Sequence, residues 1–61
     1  MKISKEDIRY EVERAQRFGI IKHSVSDKEI ARLTTKANNN TYWIKNEGLW
    51  AFVTMNVQGD E

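Results

Sequence analysis

The chain has 61 residues, of which 39% are hydrophobic and 31% charged, and its formal net charge is +1. This length allows one domain, residues 1–61. The absence of cysteine excludes disulfide bonds, and a single histidine is too few for a structural zinc site. We therefore expect neither a metal nor a cofactor. No apolar run is long enough to span a bilayer and the N-terminal residues lack the apolar core of a signal peptide, so we expect a cytoplasmic protein that does not associate with membranes.

The first predicted element is a helix over residues 5–18. Ser4 is a favourable N-cap, and Asp7 three residues later gives the reciprocal pattern of a capping box. Gly19 follows as a C-terminal stop signal. Apolar residues recur on one side at the spacing of an amphipathic helix, namely Ile8, Val12 and Ala15.

A second helix is predicted to begin after Ser26. Ser26 and Glu29 form a full capping-box pattern, and Val25 and Ile30 form a hydrophobic staple around it. The helix should end near Ala37, because three asparagines follow and asparagine is a weak helix former. Its inward positions are Ile30, Leu33, Thr34 and Ala37.

The outward side of this helix carries a cationic ridge. The ridge consists of three cations at i, i+4, i+8 spacing with a hydroxyl beside them: Lys28, Arg32, Lys36 and Thr35. Residues 21–45 contain five Lys or Arg and two acidic residues, whereas residues 46–61 contain three acidic residues and no Lys or Arg. The ridge therefore predicts contact with a phosphate backbone, and a solvated helix face is the alternative.

The stretch from Asn40 to Asn56 predicts a β-hairpin. Two runs rich in β-branched and aromatic residues flank Asn46-Glu47-Gly48, which suits a three-residue hairpin loop. The β-branched pair Ile20-Ile21 predicts a short third strand at residues 20–22. The polar tail, residues 58–61, should be frayed.

This pairing would give the hairpin two apolar faces. One face would cover the helices and consists of Tyr42, Ile44, Trp50 and Phe52. The other consists of Trp43, Leu49, Ala51, Val53 and Met55, and is too apolar for plain solvent exposure. It predicts a binding surface for another protein, or for a second copy in a homodimer, made by Trp43, Leu49, Val53 and Met55. In the alternative, each helix covers one face and no such surface exists.

Little in the chain points to catalysis. Ser4 and Ser26 are explained as helix caps, and His23 has no carboxylate or nucleophile near it in sequence. None of the three glycines belongs to a phosphate-binding loop. We therefore expect no enzymatic activity.

Two segments carry a resemblance to a known family. Ser26-Asp-Lys-Glu-Ile-Ala-Arg-Leu-Thr34 resembles the first helix of many helix-turn-helix regulators, and Trp43-Ile-Lys-Asn-Glu-Gly-Leu-Trp-Ala-Phe-Val53 resembles a recognition helix entering a wing. The resemblance to the winged helix-turn-helix DNA-binding family covers about half of the chain. It departs from the pattern at the turn, where Thr35 stands at the usual glycine position and an extra Asn follows. The resemblance implies a DNA-binding protein acting in transcription regulation.

The conformation of residues 38–47 decides how DNA would be contacted. As a helix, the segment would direct four residues to the DNA groove: Asn39, Asn40, Thr41 and Lys45. As a strand, it would leave the contacts to the cationic ridge and the loop around Lys45. The composition favours the strand, and over both alternatives the predicted nucleic-acid-binding residues are Lys28, Arg32, Thr35, Lys36, Asn39, Asn40 and Lys45.

The sequence thus predicts an α+β fold, winged-helix-like, with two capped helices packed on a C-terminal antiparallel β-hairpin. The leading function is that of a small non-enzymatic DNA-binding regulator that acts by binding alone. The alternative is a protein–protein interaction module, an inhibitor or adaptor of a larger protein, that uses the aromatic hairpin.

Overall fold

The computed structural model describes residues 2–58, which form four α-helices and no strand. In chain order these are α1 (Lys5–Arg17), α2 (Asp27–Asn38), α3 (Thr41–Glu47) and α4 (Leu49–Asn56). Helix α1 packs on α2 and α4, and α3 packs on the same two helices. The core contains side chains from all four helices: Ile8, Val12, Ala15, Ile30, Leu33, Ala37, Ile44, Phe52 and Val53, together with Ile3 and Ile21 from the connections.

The two N-terminal helices were predicted correctly, with ends that differ by one residue. The capping box of α1 is present: Asp7 N donates to Ser4 Oγ at 3.1 Å, and Ser4 N donates to Asp7 Oδ2 at 3.0 Å. Ser26 caps α2 by accepting from Glu29 N at 3.2 Å. The expected reciprocal bond from Glu29 is replaced, because its carboxylate is bound by Arg32 instead.

The α+β fold and the winged-helix-like arrangement are wrong, because the predicted hairpin consists of α3 and α4. Gly48 has φ +100° and stands between the two helices as the C-cap of one and the N-cap of the other, so it breaks a helix rather than closing a hairpin. Leu49, Phe52 and Val53 follow the i, i+3, i+4 helical spacing and bury into the core. Burial of this helical side outweighed the β-propensity of the aromatic and β-branched residues.

The third strand predicted at residues 20–22 is absent as well. The backbone N–H groups of Ile20 and Ile21 both donate to Ala15 O, at 2.9 and 3.2 Å, so this segment folds over the end of α1. Ile21 is buried and Ile20 is exposed. The predicted frayed tail lies outside the described residues from residue 59 onward, whereas Gln58 is placed and its backbone N–H donates to Glu29.

Asn38 holds the N-terminal segment against the end of α2. Its amide pairs with the backbone of Ile3 in both directions: Ile3 N donates to Asn38 Oδ1 at 2.8 Å, and Asn38 Nδ2 donates to Ile3 O at 2.9 Å. Asn38 Nδ2 also donates to Thr34 O at 3.0 Å. The bonds position Ile3 to bury its side chain in the core.

Replacing Asn38 by Ala should lower the free energy of unfolding by about 1–2 kcal/mol, because two partly buried backbone groups of Ile3 lose their partner. Urea unfolding followed by circular dichroism measures this. Asn46→Ala is the matched control, since Asn46 is exposed and donates only to Tyr42 O one turn earlier. Equal stability of the two variants would contradict the role given to Asn38.

Candidate functional site

The candidate site is built on α2, the Asn39–Asn40 connection and α3. The backbone N–H of Asn39 donates to Thr35 O and Lys36 O, both at 3.2 Å, and that of Asn40 donates to Ala37 O at 3.0 Å. This two-residue connection keeps the start of α3 next to the end of α2, and the two helices contact each other. Residues 41–47, whose conformation the sequence left open, are therefore helical.

The electrostatic character of this site comes from an absence of acid. Residues 30–46 contain no Asp or Glu. The exposed residues in this stretch are cationic, amide, hydroxyl or aromatic: Thr35, Lys36, Asn39, Asn40, Tyr42, Trp43, Lys45 and Asn46. Most of the predicted nucleic-acid-binding residues thus lie on one uninterrupted segment without a neutralising carboxylate.

Arg32 is the exception among them, because its guanidinium is bound within the protein. Nε and Nη2 donate to the two carboxylate oxygens of Glu29, each at 2.6 Å, and Nη2 also donates to Asn56 O at 2.7 Å. Glu29, 8% exposed, accepts a further bond from Gln58 N at 2.7 Å. We call these two residues the Glu29–Arg32 pair; it joins α2 to the end of α4.

The protonation of this pair follows from its hydrogen bonds. The bonds from Arg32 lower the pKa of Glu29 below its ordinary value, against the opposing effect of burial, and the Gln58 amide adds to the lowering. The same bonds raise the pKa of Arg32. Both groups therefore remain charged near neutral pH, and the cationic ridge keeps only Lys28 and Lys36 as side chains without an ion pair among the described residues.

The predicted cations are distributed around the helices rather than clustered. Lys28 lies in the first turn of α2, about 12 Å along the helix axis from Lys36. On α3, Lys45 and Trp43 are two residues apart, about 200° around the helix, so they flank opposite sides. Lys36 lies on the same side of α3 as Trp43, and Lys45 lies on the opposite side of α3.

A groove opens on the Trp43 side, between the end of α2, α3 and α4. It encloses about 180 Å³ and is lined by Lys36, Asn40, Trp43, Phe52, Met55 and Asn56. The rings of Trp43 and Phe52 meet edge to face, with centroids 6.2 Å apart. The groove therefore joins two predicted nucleic-acid-binding residues, Lys36 and Asn40, with two predicted partner-binding residues, Trp43 and Met55.

The other two predicted partner-binding residues do not reach this surface. Val53 is fully buried in the core, and Leu49 is partly buried and packs against this core. The apolar hairpin face expected to bind a partner or a second copy therefore does not exist as a surface. Met55 is 71% exposed and Trp43 36%, so these two remain accessible.

Sequence reasoning missed two features of the surface. Phe52 and Asn56 line the groove beside Met55, and their i, i+3, i+4 spacing was the available signal. A second aromatic cluster joins α1 to α4: the guanidinium of Arg14 lies 4.7 Å from the ring centroid of Trp50, and Phe18 meets Trp50 edge to face at 6.1 Å. Trp50 was expected to cover the helices, but its contacts with Arg14 and Phe18 were not identified.

His23 is exposed, and its ring Nδ1 lies 3.1 Å from Ser24 O. No helix within residues 2–58 combines the length and the apolar character needed to cross a membrane.

Comparison with protein-family models, curated proteins and solved structures gives no match for this chain. Function therefore has to be argued from the residues themselves.

Replacing Glu29 by Gln should lower the free energy of unfolding at pH 7 by about 1–3 kcal/mol, because charge-assisted hydrogen bonds are lost and Arg32 keeps its positive charge. The folded pKa of Glu29 is depressed, so its stabilising contribution exists above the unfolded pKa and is lost as the pH falls through the folded pKa. The stability difference should thus shrink below the ordinary Glu value of 4.5.

Urea unfolding at a series of pH values tests this. Glu13→Gln is the control, since Glu13 is exposed and has no ion pair in the described part of the chain. A stability difference for Glu29→Gln that stays constant with pH would show that the pair does not act through its charge.

Proposed function

We propose that this chain is a small DNA-binding regulator that acts by binding alone, through the surface of α2, the Asn39–Asn40 connection and α3. The observation that carries the proposal is the acid-free stretch of residues 30–46. In a chain with nine acidic residues, such a stretch leaves the exposed residues from Thr35 to Asn46 with no fixed negative charge to repel phosphates, and the exposed acids of α2 and α3, Asp27 and Glu47, lie at the outer ends of the two helices.

Lys36 and Lys45 supply the phosphate contacts in this proposal. Both are exposed and neither forms an ion pair within residues 2–58, so their charge is available to a polyanion. The nearest acid on α2 before this stretch, Glu29, is neutralised by Arg32 and buried. Lysine–phosphate contacts of this kind release counterions and make binding strongly dependent on salt.

Asn39 is the residue best suited to read bases. It is exposed, and its side chain makes no hydrogen bond in the described structure, whereas the amides of Asn40 and Asn46 each donate to a carbonyl one turn earlier. Asparagine pairs with adenine through N6 and N7 in the major groove. The proposal needs no wing, since the contacts come from the two helices and their connection.

A protein–protein interaction module is the second candidate function. It is favoured by the exposure of apolar side chains around the groove, where Tyr42 is 82% and Met55 71% exposed. Binding that depends on apolar contact would change little with salt, whereas phosphate contact would weaken steeply.

The double variant Lys36→Gln/Lys45→Gln should reduce the affinity for a mixed-sequence duplex and lower the slope of log affinity against log salt by about 2, since each phosphate contact contributes about 0.9. Fluorescence anisotropy between about 50 and 200 mM salt measures both quantities.

The matched control is Lys2→Gln/Lys5→Gln, which makes the same change in net charge at two exposed positions before and at the start of α1. Absence of duplex binding at the lowest salt, or an equal change of slope in the two double variants, would rule out the proposed surface.

A further inference from the structure

We infer that the groove between α2, α3 and α4 receives an unpaired nucleobase, so that the protein prefers DNA containing unpaired bases to fully paired duplex. The inference rests on the proposed DNA-binding function and specifies the kind of DNA. It is drawn from the size, the polar groups and the charge of the groove.

The size and lining of the groove fit a single ring. Its volume of about 180 Å³ is slightly larger than a cavity of roughly 150 Å³ that takes benzene. Phe52 forms its buried floor, at 3% exposure, and Trp43 and Met55 leave apolar surface open to solvent beside it. Aromatic side chains next to a cation are the usual platform for an unpaired base.

The side-chain amides of Asn40 and Asn56 each leave their oxygen, Oδ1, available to accept a hydrogen bond from a ligand. Asn40 Nδ2 donates to Lys36 O and Asn56 Nδ2 donates to Phe52 O, both at 2.8 Å. These bonds fix each NH₂ group, and neither Oδ1 accepts a hydrogen bond within residues 2–58. An unpaired pyrimidine carries a donor on its pairing edge, the exocyclic amino group of cytosine or the N3–H of thymine, so either base can donate to these oxygens.

The charge of the groove favours a nucleotide over other ring-bearing ligands. Among residues 2–58, Lys36 is the only charged residue of the lining, so a phosphate attached to the bound base meets a cation there. Lys36 and Asn40 also belong to the proposed duplex-contacting surface, so one DNA molecule can reach both.

The test compares two DNA molecules of equal length, one fully paired and one with a short central bubble of unpaired cytosines, whose bases have a single ring. The unchanged protein should bind the bubble about tenfold or more tightly, the range expected when one base stacks on an aromatic side chain. The same bubble built from abasic sites, which carry no base, should lose most of this preference. Fluorescence anisotropy at one fixed salt concentration gives all three affinities.

Two variants locate the preference. Trp43→Leu should remove it, whereas Trp50→Leu, outside the groove, should retain it. Met55→Glu alters an exposed side chain, so folding is preserved while a carboxylate enters the groove. It should weaken bubble binding far more than Gln58→Glu, which adds the same charge at an exposed position outside the groove.

The outcomes separate the two proposals. Failure to bind either DNA overturns the proposed function and this inference with it. Equal affinity of the unchanged protein for paired and bubble DNA overturns the inference and leaves duplex binding intact. Binding of an acidic amphipathic peptide that is lost in Met55→Glu, without any bubble preference, would assign the groove to a protein partner instead.

Discussion

The Glu29–Arg32 pair is the interaction on which the arrangement of the helices depends. It connects the first turns of α2 to the last residues of α4, through Arg32 to Asn56 O and through Glu29 to Gln58 N. The helices α3 and α4 are short, with seven and eight residues, and would be marginal by themselves. Together with the burial of Phe52 and Val53, closing the chain at this point holds α4 against α2 and keeps Met55 and Asn56 beside α3.

The same pair determines which charges remain for a ligand. Arg32 is bound within the protein by this pair, and Glu29, the acid on α2 closest to the proposed surface, is neutralised by it. Lys36 and Lys45 are left exposed on a stretch without carboxylates, on opposite sides of α3. A fold of modest net charge thereby presents an acid-free stretch, residues 30–46, and the proposal of DNA as the partner rests on this local charge rather than on the total of +1.

Sequence patterns predicted the elements whose signals were local. The caps Ser4 and Ser26 and the apolar spacings of α1 and α2 are short-range features, and both helices form where expected. The hairpin prediction failed because the runs around Gly48 favour strands by composition, while their burial follows helical spacing. Which pattern dominates depends on whether Ile44, Phe52 and Val53 contact the other helices. Such tertiary contacts cannot be read from local sequence patterns.

The candidate site was predictable to a similar extent. Exposed Lys36, Asn39, Asn40 and Lys45 were identified from residue type and position. Arg32 was assigned to DNA, whereas its guanidinium is bound bidentately by Glu29, three residues earlier on the same helix. The groove was missed because it joins α2 to residues of α4 that were placed in a strand, although their helical spacing was present in the sequence.

The most direct test of the proposed surface is an NMR titration of the ¹⁵N-labelled protein with duplex DNA at low salt. The account predicts amide shift changes concentrated in residues 35–46, with α1 unaffected at Tyr10 and Arg14, and carbon shifts that mark residues 41–47 and 49–56 as helical. Shift changes centred on the Arg14, Phe18 and Trp50 cluster, or no changes at all, would contradict it.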